Sequence, residues 1–434
     1  MTTQQTNLNP RKRSASSPIN RTSLMTAHTF DAGCKNWILF LIIVIACCGA
    51  TLVFAQNRPA QVNTSERLYR VSDLDSLGGT NSRGNSINNR AWISGYSNLA
   101  GNQRRHAALW RDGILFDLGT LGGPNSNVTW NVKNERGLIV GIAQTALPQP
   151  LGEAWSSAAF YPGPLNTGLI NLGFVWENGL TRALPTLGGD NGFATGCNNS
   201  GHVVGWAENT FHDPECVAPQ VLQFRPVVWE VGRNEIVTNE LPLIAGDTSG
   251  AATAINNHGQ VVGISGICDQ AVGRHTAKHA VLWQNGSVTD IGDLGAAFWN
   301  TPTAINERGD VVGFAGTPGD PDGNILHAFI WTKDGGIRPL GELPGHVYSE
   351  ASGINERRQV VGLSCDADFV DCRAYLWENG VMRDLNDLKA PGYPARLDNA
   401  KDINDKGEIT GRSTDPNTGM RKAFIATPVG VSAH

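Results

Sequence analysis

The sequence predicts an all-β fold, a seven-bladed β-propeller of four-stranded blades over residues 69–428. Three observations predict it. One strand-and-turn motif recurs seven times, each copy divides into four short strand-like pieces, and the two ends of the repeat region are complementary fragments of one copy. Sheets that cannot bury both faces alone become stable by stacking on their neighbours, and propeller blades stack around an axis.

The first piece of each copy ends in an Asn that opens a tight turn, and a Gly follows seven residues later. Asn-x-x-Gly between β-rich segments is typical of a turn that joins two strands. The copies are spaced 46 to 64 residues apart. The Asn recurs at Asn88, Asn134, Asn198, Asn256, Asn306, Asn355 and Asn404. The Gly recurs at Gly95, Gly141, Gly205, Gly263, Gly313, Gly362 and Gly411.

The third piece of each copy is aromatic and ends in Trp, as in HAFIW at 327–331. Asn-Gly pairs at 178–179, 285–286 and 379–380 then indicate a hairpin into the fourth piece. Four strands in about 50 residues is the pattern of a propeller blade. The Trp stands at Trp110, Trp176, Trp229, Trp283, Trp331 and Trp377, with Ala426 in its place in the last copy.

The two ends of the repeat region predict how the array closes. The chain enters with VSDLDSLGG (71–79), the fourth piece of a copy, and leaves after KAFIA (422–426), a third piece. Pairing the N-terminal strand with the C-terminal blade completes a sheet and hides its edge. A β-solenoid is the alternative, but it predicts capped ends rather than complementary ones.

The N-terminal 68 residues are predicted to lie outside the propeller. Residues 1–36 form a polar, basic tail, residues 37–55 an uncharged apolar segment, and residues 56–68 a linker; residues 429–434 form a C-terminal tail. Basic residues before an apolar run indicate export from the cytoplasm. We expect a signal peptide cleaved after Ala55, with an uncleaved anchor or lipidation at Cys47 as alternatives.

The charge of the chain argues against nucleic acid as a partner. The formal net charge is −5, and removal of residues 1–55 takes away five basic residues and one acidic residue, which lowers it to about −9. Nucleic-acid binding depends on neutralising phosphates with basic side chains. An acidic exported domain without a basic stripe does not fit that class.

The repeat resembles a known family. DLGTLGG (117–123), the IN-x-x-G-x-VVG pattern and HAFIW resemble the bacterial extracellular repeat family named for its His-Ala-Phe (HAF) motif. Arg373 and Lys422 depart from it by replacing the His, and the second copy carries a long insertion. The resemblance implies an extracellular location and a repeat fold, and it supplies no activity.

The sequence contains no motif for a nucleophile, a metal site or a cofactor. His106, His279 and His327 recur at one structural position, which favours a packing or edge role over catalysis. The acidic segments 319–324 and 365–371 could offer oxygen ligands to calcium, but Asp-Pro and Asp-Gly are ordinary turn residues. No catalytic residue, metal ligand or cofactor is therefore assigned.

The five cysteines beyond the export segment predict two disulfides, as is usual outside the cytoplasm. Cys365 and Cys372 bracket a short loop between the second and third strands of one copy. Cys216 and Cys268 lie in that same loop in adjacent copies and could bridge them. Cys197 precedes a repeated Asn in an apolar position and is expected to be a buried free thiol.

Loop length gives the best indication of a binding face. The loops between second and third strands vary most, and in an alternating blade they share a face with the loops between blades. Variable loops on a rigid scaffold are where binding residues concentrate, and aromatic rings can stack on sugars. The alternative is that these rings only fill space between blades. The candidate ligand-binding residues are Trp130, Phe193, Trp299, Tyr348 and Tyr393.

The function expected from these observations is an exported, non-catalytic scaffold that binds a carbohydrate or an envelope protein. It would be extracellular or periplasmic, or face outward from a membrane that it touches only through residues 37–55. One alternative is a carbohydrate-active hydrolase or lyase, with Asp190, Asp247 and Glu350 as candidate acids. Another is the sensory ectodomain of an anchored protein.

Overall fold

The computed structural model describes residues 68–153, 160–162, 168–269, 273–320 and 323–430. The predicted tail, export segment and nearly all of the linker lie outside the described residues, so the predictions for them stay predictions. Among the described residues, no helix is long and apolar enough to cross a membrane. In the described ranges nearly all of the regular structure is β, and a short 3-10 turn lies at Thr276–Lys278.

Five sheets have four antiparallel strands each, which confirms the four-piece division of the repeat. In chain order these sheets contain β6 (Gly122–Asn127), β7 (Ile139–Pro148), β8 (Leu169–Glu177) and β9 (Leu180–Ala183); β10 (Gly188–Cys197), β11 (His202–His212), β12 (Leu222–Val231) and β13 (Ile236–Glu240); β14 (Ser249–Ile255), β15 (Val261–Gly266), β16 (His279–Gln284) and β17 (Ser287–Asp290); β18 (Thr301–Ile305), β19 (Val311–Ala315), β20 (His327–Thr332) and β21 (Gly336–Pro339); and β22 (Tyr348–Ile354), β23 (Val360–Cys365), β24 (Cys372–Glu378) and β25 (Val381–Asp384).

The remaining eight strands are assigned to one sheet that has two halves. One half contains β2 (Gly78–Ile87), β3 (Ile93–Leu99), β4 (Arg105–Arg111) and β5 (Ile114–Asp117). The other half contains β26 (Arg396–Ile403), β27 (Ile409–Thr414), β28 (Arg421–Val429) and β1 (Leu68–Asp73). A single parallel bridge, Asn81 to Arg421, joins the halves. From β10 to β26 the first strands of neighbouring sheets contact each other in turn, and β26 contacts β2, as first strands do near the axis of a propeller.

The N-terminal strand completes the C-terminal sheet, as the complementary chain ends predict. β1 pairs with β28 in antiparallel register from Leu68 opposite Val429 to Asp73 opposite Phe424. Leu74 continues the pairing by donating its N–H to the carbonyl of Ala423, at 2.8 Å. Without β1, the outer edge of β28 would expose a row of unpaired backbone groups.

The recurring Gly of the second strand is required for space. In six of the copies the first strand bulges beside it, and in all seven the Gly lies against the first-strand backbone. A Cβ on Gly362 would lie 1.9 Å from the carbonyl oxygen of Glu350, and one on Gly205 would lie 1.9 Å from that of Phe193. Bulges re-aim the strand that carries them, so this Gly fixes where the neighbouring first-strand side chains point.

The recurring Asn closes its own turn and also links neighbouring sheets. Asn256 Oδ1 accepts the N–H groups of His258 and Gln260, at 3.1 and 3.0 Å. Its Nδ2 donates to the carbonyl of Asn306 in the next sheet, at 3.0 Å. Six of the seven Asn residues make this second contact, and Asn134, which does not, donates within its own turn instead.

The residues that follow the repeated Asn form a second set of links, here named the turn belt. Each backbone N–H in the belt donates to the side chain of the next member, at 2.6 to 3.1 Å. The last donor, Asp405, binds the first member, Asn89. The members are Asn89, Glu135, Asn199, Asn257, Glu307, Glu356 and Asp405.

Candidate functional site

Both predicted disulfides are present. Cys216–Cys268 joins the loops of two neighbouring sheets across 52 residues of chain, and Cys365–Cys372 joins the ends of β23 and β24. Cys197 is a buried free thiol, and burial raises its pKa to about 12. The disulfides stabilise the loop-bearing end of the sheets, the end opposite the turn belt.

The five aromatic residues predicted to bind ligand do not form one site. Phe193 is fully buried against Trp206, with ring centroids 4.6 Å apart, and Trp130 packs on the same cluster. Tyr348 and Trp299 pack together in a second cluster, beside Cys365.

The fifth of these residues, Tyr393, lies in a third place. Its hydroxyl bonds to Asp73 and to Ser413, at 2.5 and 2.9 Å. Packing between sheets accounts for Phe193, which offers no ring surface to solvent, and for most of Tyr348, which is 8% exposed.

A group of ionisable side chains gathers instead where three first strands meet. It is named the axial cluster, and β2–β4, β22 and β26–β27 supply it. Its members come from three consecutive parts of the fold, the two halves of the eight-stranded sheet and the β22–β25 sheet. The members are Arg83, Tyr96, Arg105, Glu350, Asp398, Lys401 and Arg412.

Tyr96 is the centre of the cationic half of the cluster. The guanidinium carbon of Arg105 lies 3.8 Å from the centre of its ring, and that of Arg83 lies 5.2 Å away. Arg412 forms a hydrogen bond with the Tyr96 side chain. Desolvation opposes ionisation of this buried phenol, yet the three guanidinium groups lower its pKa below the ordinary value. The electrostatic potential here is therefore strongly positive.

Two members of the cluster are fixed by neighbours. Arg412 Nε donates to Asp398 at 3.0 Å, and Thr414 donates to the other oxygen of that carboxylate at 2.5 Å. Arg105 donates to Asn98 at 2.9 Å and to the carbonyl of Phe160 at 2.7 Å. These bonds hold both side chains in place. Both therefore position the cluster and contribute to its positive potential.

Three other members lie outside the ion pairs of the described residues. Arg83, Glu350 and Lys401 have no ion-pair partner there, although Glu350 favours the charged form of both cations, and Arg83 Nε has no hydrogen-bond partner. Lys401 bonds only to the hydroxyl of Ser352, at 3.3 Å, and Glu350 accepts the hydroxyl of Tyr348. Desolvation, helped by the positive charge of Arg83, lowers the pKa of Lys401 to about 8. All three residues are half-buried, and half-buried charges without a close partner favour the binding of a charged or polar ligand.

More unpartnered polar groups occupy the place that Arg83 and Glu350 hold in their first strands. The first-strand residue whose carbonyl the recurring Gly approaches is Asn127, Thr301 or Asn399 in three other strands, with Phe193 and Ala251 completing the set. The side-chain oxygens of Asn127, Thr301 and Asn399 are buried and have no hydrogen-bond partner among the described residues. A polar lining with unmet hydrogen bonds indicates an interior that holds water or a polar ligand.

Of the three candidate acids, only Glu350 belongs to the axial cluster. Asp247 is buried and accepts the Ser265 hydroxyl at 2.6 Å, which gives it a structural role. Asp190 lines a shallow, mainly apolar groove together with Leu147 and Leu172.

The recurring His residues have an edge role, as their repetition indicates. His106, His279 and His327 bind Asp117, Asp290 and Glu342 on or just after the fourth strand, at 2.7 to 2.8 Å. The same position pairs Arg225 with Glu240, Arg373 with Asp384, and Lys422 with Asp73 on β1. The β6–β9 sheet has Leu172 and no such pair.

The acidic segment 365–371 forms a turn, and part of the other acidic segment, residues 321–322, lies outside the described residues. Asp366 accepts the N–H groups of Val370 and Asp371, at 2.9 and 3.1 Å. Among the described residues, one group with metal-ligand spacing exists, Asp213 with Cys216 and Cys268, but both sulfurs are bound in the disulfide.

Sequence reasoning missed the axial cluster because no motif marks it. A usable signal existed in the repeat itself. The first-strand position whose carbonyl the recurring Gly approaches is uncharged in five copies, as at Ala251 and Asn127, but charged at Arg83 and Glu350. Departures from a structural repeat are where chemistry can be added without loss of the fold.

No protein-family model matches the chain, and no curated protein matches it. Solved structures with a related arrangement include the β-propeller domain of the Trilobed protease from Pyrococcus furiosus (TM-score 0.47, 8% identity, covering 85% of this chain and 99% of that one). Virginiamycin B lyase from Staphylococcus aureus (TM-score 0.44, 10% identity, 83% and 100%) and Trypanosoma rangeli sialidase (TM-score 0.38, 10% identity, 73% and 56%) are also similar. At such distance these likenesses say nothing of activity, and the assignment of a β-propeller rests on the strand pairing described above.

Proposed function

We propose that the domain is a closed propeller of seven blades. The proposal counts the two halves of the eight-stranded sheet as separate blades, because one backbone bridge joins them. The turn belt supports this count, since its seven hydrogen bonds pass from sheet to sheet and return to Asn89. Lys422 and Asp73 support it too, because the pair formed across the chain ends repeats the pair formed inside other sheets.

We propose that this propeller acts outside the cytoplasm. The two disulfides favour an oxidising compartment, and the basic tail with its apolar segment favours export. Membership of the HAF repeat family, suggested by the recurring motifs, would agree with this location.

We propose that the axial cluster binds a small anionic ligand that also carries hydroxyl groups, with a sugar acid as the best match. The observation behind the proposal is the set of half-buried charges at Arg83, Lys401 and Glu350, which form no ion pair among the described residues. A carboxylate would bind the two cations, and hydroxyl groups would donate to Glu350 and to unpartnered oxygens such as that of Asn399. Such a ligand would thus give a partner both to the cations and to the oxygen acceptors of the site.

Hydrolysis of such a ligand is the second candidate function. It is favoured by the presence of two carboxyl groups, Glu350 and Asp398, that come from different strands and act on the same Arg83. Against it, Asp398 is buried and bound by Arg412 and Thr414, so it is not free to exchange a proton. Binding without catalysis is therefore our first choice.

Calorimetric titration with an oligogalacturonate and with the matched neutral galactose oligomer tests the site. We expect the acidic oligomer alone to bind the full exported chain, and Arg83→Gln or Lys401→Gln to weaken binding about 10- to 100-fold, the loss of a charge-assisted hydrogen bond. Arg233→Gln, which changes an exposed arginine on another sheet, is the matched control and should bind normally.

Two results would contradict the proposal. Equal affinity for the acidic and neutral oligomers would show that the cluster does not select charge. Unchanged affinity in both cluster variants would place the ligand elsewhere. Release of shorter saccharides from the acidic oligomer by the native chain, lost in Glu350→Gln, would favour hydrolysis.

A further inference from the structure

Two buried carboxyl groups face each other between the β6–β9 and β10–β13 sheets. Glu208 lies on β11 and is 0% exposed, and Glu153 lies on the segment that follows β7 and is 3% exposed. The two carboxyl groups are adjacent, because the amides of Asn191 and Gln220 each donate to both of them, at 2.9 to 3.3 Å. Ionised carboxylates only accept hydrogen bonds, so a direct bond between the two groups requires a proton on one of them.

The remaining partners of this pair are N–H donors. Glu153 accepts from the backbone of Val221 and Leu222, at 2.8 and 2.9 Å, and from Gln149 Nε2 at 2.7 Å. Glu208 accepts from the backbone of Asn191 at 2.8 Å. The amides of Asn191 and Gln220 donate to both carboxyl groups.

No cation offsets the charge of the pair among the described residues. The further ionisable group that acts on it is Asp190 on β10, another acid. Residues 154–159 and 163–167 contain no ionisable side chain in the sequence. Two adjacent carboxylates in such a place repel each other and lack solvent, so a shared proton is the state that the surroundings favour.

We propose that Glu153 and Glu208 share one proton and that this proton locks the segment Gln149–Glu153 onto the β10–β13 sheet, so that alkaline pH releases it. Release breaks the hydrogen bonds that the backbone N–H groups of Val221 and Leu222 donate to Glu153. Asn191 belongs to the lock as well, because its Oδ1 accepts the N–H of Asn171 on β8, at 3.1 Å.

The sign of the pH dependence follows from the surroundings of the pair. Desolvation, and then the neighbouring Glu153, raise the pKa of Glu208 to about 8, and desolvation also raises the pKa of Glu153. A raised carboxyl pKa means that the folded state holds a proton that the unfolded state releases near pH 4.5. The stability it contributes is full below about pH 4.5 and is lost as pH rises through about 8.

Hydrogen–deuterium exchange of the full chain, read at the amides of Val221 and Leu222 between pH 6 and 9.5, tests the proposal. After division by intrinsic exchange rates, we expect protection to fall about tenfold per pH unit between pH 6 and about 8, where the closed state holds one proton more than the open state, and to level off above that. Glu208→Gln keeps a hydrogen-bonding group without a charge and should retain protection at pH 9.5. Glu230→Gln, an exposed acid on the neighbouring β12, should behave like the native chain.

Glu153→Gln gives the same test if Glu208→Gln does not fold, and the native titration stands by itself if neither variant folds. Protection that stays constant across the range would overturn the proposal. So would protection that EDTA abolishes at pH 6 or that calcium restores at pH 9.5, since a bridging cation rather than a proton would then hold the carboxyl groups together.

Discussion

The turn end of the propeller axis and the axial cluster satisfy their polar groups in opposite ways. At the turn end, repeated Asn residues and the turn belt bind sheet to sheet, and even Lys133 is held by the carbonyls of Ile354 and Ile403, at 3.0 and 2.7 Å. In the axial cluster, Arg83, Glu350 and Lys401 form no ion pair among the described residues. The repeat therefore secures the fold at the turn end and leaves the first-strand positions of the cluster free to vary, as binding sites on rigid scaffolds require.

The largest effect on stability is expected from the recurring Gly, which fixes the first strands that carry both regions. Gly362→Ala would place a Cβ 1.9 Å from the carbonyl of Glu350, so the first strand must move, and we expect a loss of about 3 kcal/mol or more in unfolding free energy by urea titration. Gly319→Ala, which meets open space, should change stability by less than about 0.5 kcal/mol. Similar losses in both variants would mean that close approach is not the reason for the Gly.

A smaller effect is expected from one link at the turn end. Asn306→Ala removes the acceptor for Asp310 N–H and the donor to Asn355, both buried, and should cost about 2 kcal/mol in the same titration. Asn417→Ala, an exposed turn residue, is the control and should be nearly neutral. An unchanged unfolding free energy in Asn306→Ala would contradict the comparison between the turn end and the axial cluster, because the repeated Asn links would then contribute nothing to stability.

The smallest effect has the opposite sign and belongs to the axial cluster. Lys401→Met removes a half-buried charge that has no ion-pair partner among the described residues, and it should raise stability at pH 7 by about 1 kcal/mol while ligand binding is lost. Because the folded pKa of Lys401 lies near 8, below the unfolded value, the native chain should gain stability as pH rises from about 8 to 10.5. Lys401→Met should lack that gain, which thermal unfolding across this pH window measures.

Most of the scaffold could be predicted from the sequence because each of its parts repeats. The Asn, the Gly and the aromatic third strand recur with their turn signals, and the complementary ends of the repeat region predict the pairing of β1 with β28. The disulfides could be predicted because Cys216 and Cys268 fall at one position of adjacent copies.

The candidate site could not be predicted in the same way. Arg83, Glu350 and Lys401 are far apart in the chain, and each is an ordinary surface residue type until the sheets bring them together. The aromatic residues proposed from loop position divide among three clusters, because large rings at blade junctions also serve packing. Glu208 was missed for a related reason, since a carboxyl group on a strand gives no sign of its burial until its partners are known.

The pairing of β1 with β28 has a consequence for biosynthesis. β1 is synthesised about 350 residues before β28, so its backbone hydrogen bonds with that strand can form only after the intervening sheets have been made. A chain truncated near residue 420 would lack β28 and would leave the facing edges of β1 and β27 unpaired, and exposed strand edges promote aggregation and chaperone binding. The late synthesis of β28 thus sets the time at which both edges are covered.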